Sequence, residues 1–196
     1  MSKVVVQTFL TLDGVYQAPG DPNEDTEGGF THGGWQVPYF DADAGKVMDS
    51  QMPELGALLL GRKTYQIFAA YWPTAQGDDA AAKIFNSIPK YVVSTTLKSA
   101  DWNNSRLIQW NLAQGVNQAK TLVTTGIVSV IGSGKLVQSL MKEGLVDEYR
   151  LWIHPLVLGS GKRLFDGGVI PTNLKLVDTK TTGSGIVMLT LVPEKK

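Results

Sequence analysis

Leu58-Leu59-Leu60-Gly61-Arg62-Lys63-Thr64-Tyr65 reads as a buried strand that stops at a glycine and starts a helix. Beyond Gly61, the residues Tyr65, Phe68, Ala69 and Trp72 form a helix-like apolar pattern. A junction of this kind leaves several backbone N–H groups unpaired and pointing one way, and the helix dipole adds partial positive charge to them. Arg62, Lys63 and the Thr64 hydroxyl contribute charge and further donors, a combination suited to a phosphate group. The plain alternative is a tight turn at Gly61 beside two solvated cations.

A second junction has the same physical character. Val128-Ser129-Val130-Ile131 runs into Gly132-Ser133-Gly134-Lys135, followed by Leu136, Val137, Leu140 and Met141 at helical spacing. In an open α/β sheet, ligands bind outside the carboxyl ends of the strands. Two such ends could share one phosphorylated ligand, and a pyrophosphate has the span and charge to use both. Other motif matches fail. Gly132-Ser133-Gly134 begins like a dinucleotide fingerprint but lacks its third glycine, and neither Gly134-Lys135 nor Gly161-Lys162 satisfies a P-loop.

Around these junctions the chain alternates strand and helix. Val4 to Leu10 is a predicted strand, closed by Thr11-Leu12-Asp13-Gly14. Gln17 to Pro38 is a long glycine-rich loop of the sort that carries function; Phe30 and Trp35 lie in it, with Tyr39 and Phe40 just beyond. These aromatics either roof a planar ligand or cover the core. Asp41 to Leu55 is a predicted helix with Asp41 as N-cap, and Ala57 to Leu60 is the leucine strand. The helix after Gly61 should end before Pro73, and Ala80 to Asn86 suits a short helix. Strands are expected over Lys90 to Thr95 and Arg106 to Trp110, then a helix over Leu112 to Val123 broken at Gly115. Ile127 to Ile131, a helix Lys135 to Glu143, and a strand Val146 to His154 follow, then a glycine-bearing loop from Pro155 to Leu164. Leu174 to Thr181 and Ile186 to Val192 form a hairpin around Gly183-Ser184-Gly185. The expected architecture is a single α/β domain over residues 1–196, with a mostly parallel sheet and antiparallel C-terminal strands.

Composition narrows the function. The 196 residues are 43% hydrophobic and 18% charged, enough for a substantial core. The formal net charge is zero, with no basic stripe of the kind a nucleic-acid binder carries. The absence of cysteine excludes disulfides, thiolate chemistry and cysteine-ligated metals. His32 and His154 have no carboxylate partners at metal-ligand spacing, so no metal is expected. There is no Gly-x-Ser-x-Gly elbow. Neither a signal peptide nor a membrane span is expected, and a cytoplasmic protein is the default.

The order of motifs resembles the dihydrofolate-reductase-like superfamily, and most closely its branch containing the riboflavin-biosynthesis reductase domain. The resemblance rests on Thr11-Leu12-Asp13-Gly14, Leu59 to Tyr65, Val92-Val93-Ser94-Thr95, Val130 to Leu136, Leu145-Val146-Asp147-Glu148-Tyr149 and His154 to Phe165, which fall in the family order over most of the chain. It implies NADPH bound across the carboxyl edge of a central mixed sheet. Gly61, Arg62, Lys63 and Thr64 would then meet the cofactor phosphates, and Ser94 and Thr95 would lie near the adenosine end. Ile131, Gly132, Ser133, Gly134, Lys135 and Leu136 would wrap the pyrophosphate and the ribose beside nicotinamide. The family has a Gly-Gly pair, often cis, where this chain has Gly132-Ser133.

The implied activity is hydride transfer from NADPH to a small heterocycle, resembling 5-amino-6-(5-phosphoribosylamino)uracil reduction, in a stand-alone reductase that forms a homodimer. Such a reduction also needs a proton donor. Asp13, at the end of the first strand, and Asp41, at the head of the next helix, are the candidates; Asp13 also reads as a turn residue and Asp41 as a helix N-terminal charge. Lys162 and Arg163 are candidates by charge for a substrate phosphate. The alternatives are a dihydrofolate-reductase-like pteridine reductase, a non-catalytic NADP-binding module, and a homodimeric interaction protein whose glycines serve only turns.

Overall fold

The computed structural model describes residues 1–75, 80–166 and 170–194. Eight strands form one sheet in the order β4-β3-β2-β5-β1-β6-β8-β7. They are β1 Val4–Thr11, β2 Leu55–Gly61, β3 Lys90–Val93, β4 Ser105–Ile108, β5 Ile127–Ile131, β6 Glu148–His154, β7 Leu174–Thr181 and β8 Val187–Pro193. The first six run parallel, and β8 and β7 add an antiparallel edge. The α/β class, the mostly parallel sheet and the antiparallel end agree with the expectation from sequence.

Helices cover both faces, as parallel strands require. On one face, α1 (Ala42–Gln51), α2 (Arg62–Tyr71) and α3 (Ala80–Ser87) pack over Val5, Leu58, Leu60, Val92 and Trp152. On the other, α4 (Leu112–Leu122) and α5 (Gly134–Lys142) pack over Val4, Val6, Leu59, Val128 and Val130. Adjacent residues of β1 and β2 therefore enter opposite cores, and the apolar runs Val4-Val5-Val6 and Ala57 to Leu60 serve both. Among the described residues no helix is long and apolar enough to cross a membrane.

Several expected boundaries move for local reasons. The helix expected to reach Leu55 ends at Gln51; a 3-10 turn at Met52–Glu54 contains Pro53, and Leu55 opens β2. Gly115 does not break α4. A Cβ there would lie 2.5 Å from Ile108 Cγ2, so the glycine lets the helix lie close on β4. β3 stops at Val93 because the Ser94 hydroxyl accepts from the N–H groups of Thr96 (3.2 Å) and Leu97 (3.0 Å) and turns the chain. β4 stops at Ile108, leaving Trp110 exposed, and β6 begins at Glu148.

Lys90 is fully buried at the start of β3. Its Nζ donates to the Phe85 carbonyl at 2.9 Å, capping α3, and sits 4.3 Å from the centre of the Trp102 ring. Burial pushes the ammonium down to about 8. The unfolded chain keeps that proton up to about pH 10.4, so above about pH 8 the unfolded state binds more protons and this group's contribution to stability rises with pH. Lys90→Met is expected to remove that rise. Urea unfolding of both proteins at about pH 7 and about pH 9.5 checks it, and equal pH dependence would refute it.

Candidate functional site

Parallel pairing delivers the carboxyl ends of six strands to one edge. Val93 pairs with Gly61, and Gln7 pairs with Ile131. Ser94-Thr95, Gly61 to Thr64, Ile131 to Leu136 and Thr11 to Asp13 therefore leave neighbouring strands in a continuous row. The two glycine junctions meet directly. The Gly61 N–H donates to Ser133 Oγ at 3.1 Å, and a Cβ at Gly132 would lie 3.8 Å from Thr64 Oγ1.

Both helices begin without a side-chain cap. Gly61 precedes α2 in extended conformation, and Ser133 precedes α5 with φ 51°, after Gly132 with φ 57°. A left-handed serine is uncommon. Its hydroxyl faces across the gap to Gly61 rather than back to its own helix. The Ser133 carbonyl takes the N–H groups of Leu136 (2.8 Å) and Val137 (3.0 Å). Among the described residues the Gly134 and Lys135 N–H groups have no partner. Leu136 is the exception in this stretch: its side chain is buried in the core and its N–H is used. Arg62, Lys63 and Lys135 are exposed around the gap, and Arg62 donates to Gln66 Oε1 at 3.3 Å. Gly134 admits a close neighbour, since a Cβ there would lie 2.4 Å from the Tyr16 ring.

The long loop folds over this row. Gln17 is almost fully buried and organises it: its Nε2 donates to the carbonyls of Asp25 (3.0 Å) and Glu27 (2.9 Å), and its Oε1 accepts from the Lys162 N–H (3.0 Å). The Glu27 carboxylate bridges Lys63, in the first turn of α2, and Lys162. Hydrogen bonds from Lys162 and then Lys63 hold Glu27 down to about 2. Phe30 and Trp35 are buried with Val15 and Ala18, so these two aromatics cover the core. Trp35, Phe9 and Tyr39 meet His154 edge-on at centroid distances of 5.1–5.9 Å. His154 Nδ1 faces the carbonyls of Leu10 and Trp152, and burial pushes the ring's pKa down while the ring packs among these aromatics.

Both aspartates are engaged by donors from the surrounding structure. Asp13 accepts from Thr11 Oγ1 (2.6 Å), the N–H groups of Leu158 (3.2 Å) and Gly159 (2.9 Å), and Arg163 Nη2 (3.1 Å). Desolvation opposes its charge, but these bonds outweigh it and hold the carboxyl well below the usual carboxylate range. Asp13 thus ties the end of β1 to the 155–164 loop, and Arg163 is its partner. Asp41 caps α1 through the Ala44 N–H (2.8 Å) and also holds Ser184 N–H (2.8 Å), in the turn between β7 and β8. The Ala44 bond leads in lowering its pKa. Both residues, the catalytic candidates of the sequence, anchor loop and helix ends in the structure.

The fold is shared with known proteins. A model of the RibD C-terminal domain matches residues 2–188. The chain belongs to the RibD C-terminal domain family. This family is reductase-like, which identifies the chain as an oxidoreductase in general type. YyaP of Bacillus subtilis (strain 168) is 32% identical over 190 residues, covering 95% of this chain and 93% of that protein. The same fold occurs in a Shewanella sp. PV-4 protein named for riboflavin biosynthesis, with TM-score 0.70 and 17% identity over the whole of both chains. It also occurs in Acinetobacter baumannii RibD, with TM-score 0.62 and 16% identity, over all of this chain and 59% of that one.

Gln7, Ser129, Gln51, Tyr16 and Glu27 also belong to the neighbourhood of the site, and sequence reading passed over them. Only Gln7 carried a visible signal, as an amide directly after the apolar run Val4-Val5-Val6 in a central strand. Asp13→Asn is expected to destabilise the protein by about 1–3 kcal/mol at neutral pH. Because the folded carboxyl is depressed, that contribution is complete above the unfolded value of about 3.9 and declines as pH falls below it. Urea unfolding of both proteins at neutral and acidic pH checks the size and the sign.

Proposed function

We propose that this RibD-family chain is one NADPH-dependent reductase domain that transfers a hydride to a small heterocycle, in the manner of 5-amino-6-(5-phosphoribosylamino)uracil reduction. The observation that carries the reading is the Gly61 N–H to Ser133 Oγ bond, which brings two uncapped helix N-termini to one gap. Two convergent sets of amide donors with Arg62, Lys63, Thr64 and Lys135 around them suit a pyrophosphate. Ser94 and Thr95, beside Gly61 on the next strand, lie where the adenosine end would extend. Ile131, Gly132 and Leu136 shape the wall on the nicotinamide side, with Leu136 acting through packing.

The bound dinucleotide supplies the hydride; the chain binds, orients and shields. The substrate carbon of a C=N or C=O bond gains the hydride, and its heteroatom gains a proton. With Asp13 and Asp41 committed as anchors, water in the open cleft is the proton source. Glu27 competes with the ligand: its carboxylate sits on Lys63 and Lys162, so an incoming phosphate must displace it. A non-catalytic NADP-binding module is the second reading, favoured by the same commitment of both aspartates. A pteridine reductase shares the cofactor gap and differs only in substrate. We place the protein in the cytoplasm.

NADPH titration is expected to quench tryptophan fluorescence and raise the melting temperature. Arg62→Ala should weaken binding by about tenfold, and Glu27→Gln should strengthen it several-fold. No response to millimolar NADPH would overturn both cofactor readings. NADPH consumption with a substrate panel would then separate reductase from binding module.

We also propose a homodimer through the C-terminal hairpin. Seven of the eight β7 residues are exposed, including Leu176 and Val177, which are 51% and 57% accessible. Sedimentation should show a dimer that Val177→Glu dissociates; a monomer alone would reject this.

A further inference from the structure

Gln7 lies in β1, at the centre of the sheet, between β5 and β6. A central parallel strand is normally covered by helices and apolar on both faces. Val5, two residues earlier on the same face, is fully buried, yet Gln7 is partly exposed. The reason is the spacing of the helices. α1 packs through Ala44, Val47 and Met48 against Trp152, Ile186 and Met188, while α2 packs through Tyr65 and Phe68 with Leu58, Leu60 and Val92. Between them the sheet face is floored by Gln7, Ser129 and Ile131. Gln7 is paired in register with Ile131, and its carbonyl accepts from the Gly132 N–H at 3.4 Å. The amide therefore sits at the inner end of the second glycine junction.

That amide is held in place. Ser129 Oγ, fully buried, donates to Gln7 Oε1 at 2.5 Å, and Gln7 Nε2 donates to Gln51 Oε1 at 3.2 Å. A glutamine amide has two donors and two acceptor lone pairs. Gln7 uses one of each, and among the described residues the Gln51 Nε2 group has no partner. The floor of the cleft thus presents adjacent unspent donors and acceptors, oriented by a buried serine. An amide reads a planar ring edge bidentately when that edge carries a donor beside an acceptor.

We infer that Gln7, positioned by Ser129 and assisted by Gln51, is the specificity-determining contact for a heterocycle presenting a lactam edge, an N–H beside a C=O. This deepens the reductase reading and rests on it for the placement of the ring beside the cofactor gap. Substrates lacking that edge leave the partly buried amides unpaired, which is how a polar pocket rejects them.

Fluorescence anisotropy tests this with lumazine, which carries lactam edges, and 1,3-dimethyllumazine, in which methyl groups block them, on protein saturated with NADP. Lumazine should bind more tightly by about tenfold or more. Gln7→Leu should abolish the difference while leaving NADPH affinity unchanged. Gln51→Leu should reduce the difference and serves if Gln7→Leu does not fold. Equal binding of the two rings, binding of neither, or full discrimination retained in both folded variants would overturn the inference. Discrimination without any NADPH response would overturn the cofactor reading instead, so the two failures are distinguishable.

Discussion

Parallel pairing of β1 with β5, and of β5 with β2, sets the geometry of everything at the carboxyl edge. Parallel strands must be joined by crossovers, and each crossover here begins at the same edge. The Gly61 N–H to Ser133 Oγ bond closes that edge between residues 72 positions apart in the chain. A serine in a left-handed conformation carries local strain. Its hydroxyl bond to Gly61 accompanies that strain and keeps the two helix starts facing one another.

Charge in the loops is arranged around this edge rather than spread evenly. Asp13 pairs with Arg163, Asp25 with Lys162, and Glu27 with both Lys162 and Lys63. The zero net charge of the chain thus conceals a local order: Asp25 and Glu27 of the long loop lie against Lys162, and Glu27 also against Lys63 at the start of α2. Exposed contacts such as those between Glu27 and Lys63 contribute little to stability. Their weight falls on where an anion can bind.

The glycine junctions were legible because they combine an apolar run, a glycine and a cation in eight residues, and that local pattern has few meanings. The alternation of strand and helix was legible for the same reason. Gly115 misled because its role is set by Ile108, a neighbour in space that no local rule reveals. The anchoring roles of Asp13 and Asp41 were not legible, because a carboxylate near a predicted site looks the same whether its donors are substrate or backbone. Their partners, Gly159 and Ser184, lie more than a hundred residues away. Gln7 was visible as an odd polar residue in Val4-Val5-Val6-Gln7, but its meaning depends on a gap between two helices that only the packed structure defines.

The central place of β1 has a consequence for how the chain acquires its structure. Its two hydrogen-bonding neighbours are residues 127–131 and 148–154, so β1 waits for strands more than a hundred residues further along the chain. Until then Val4-Val5-Val6 is an unpaired, β-branched segment able to recruit other chains. Such long-range closure makes folding slow compared with helical domains of similar size. Synthesis through β6 is therefore needed before β1 can have both of its partners.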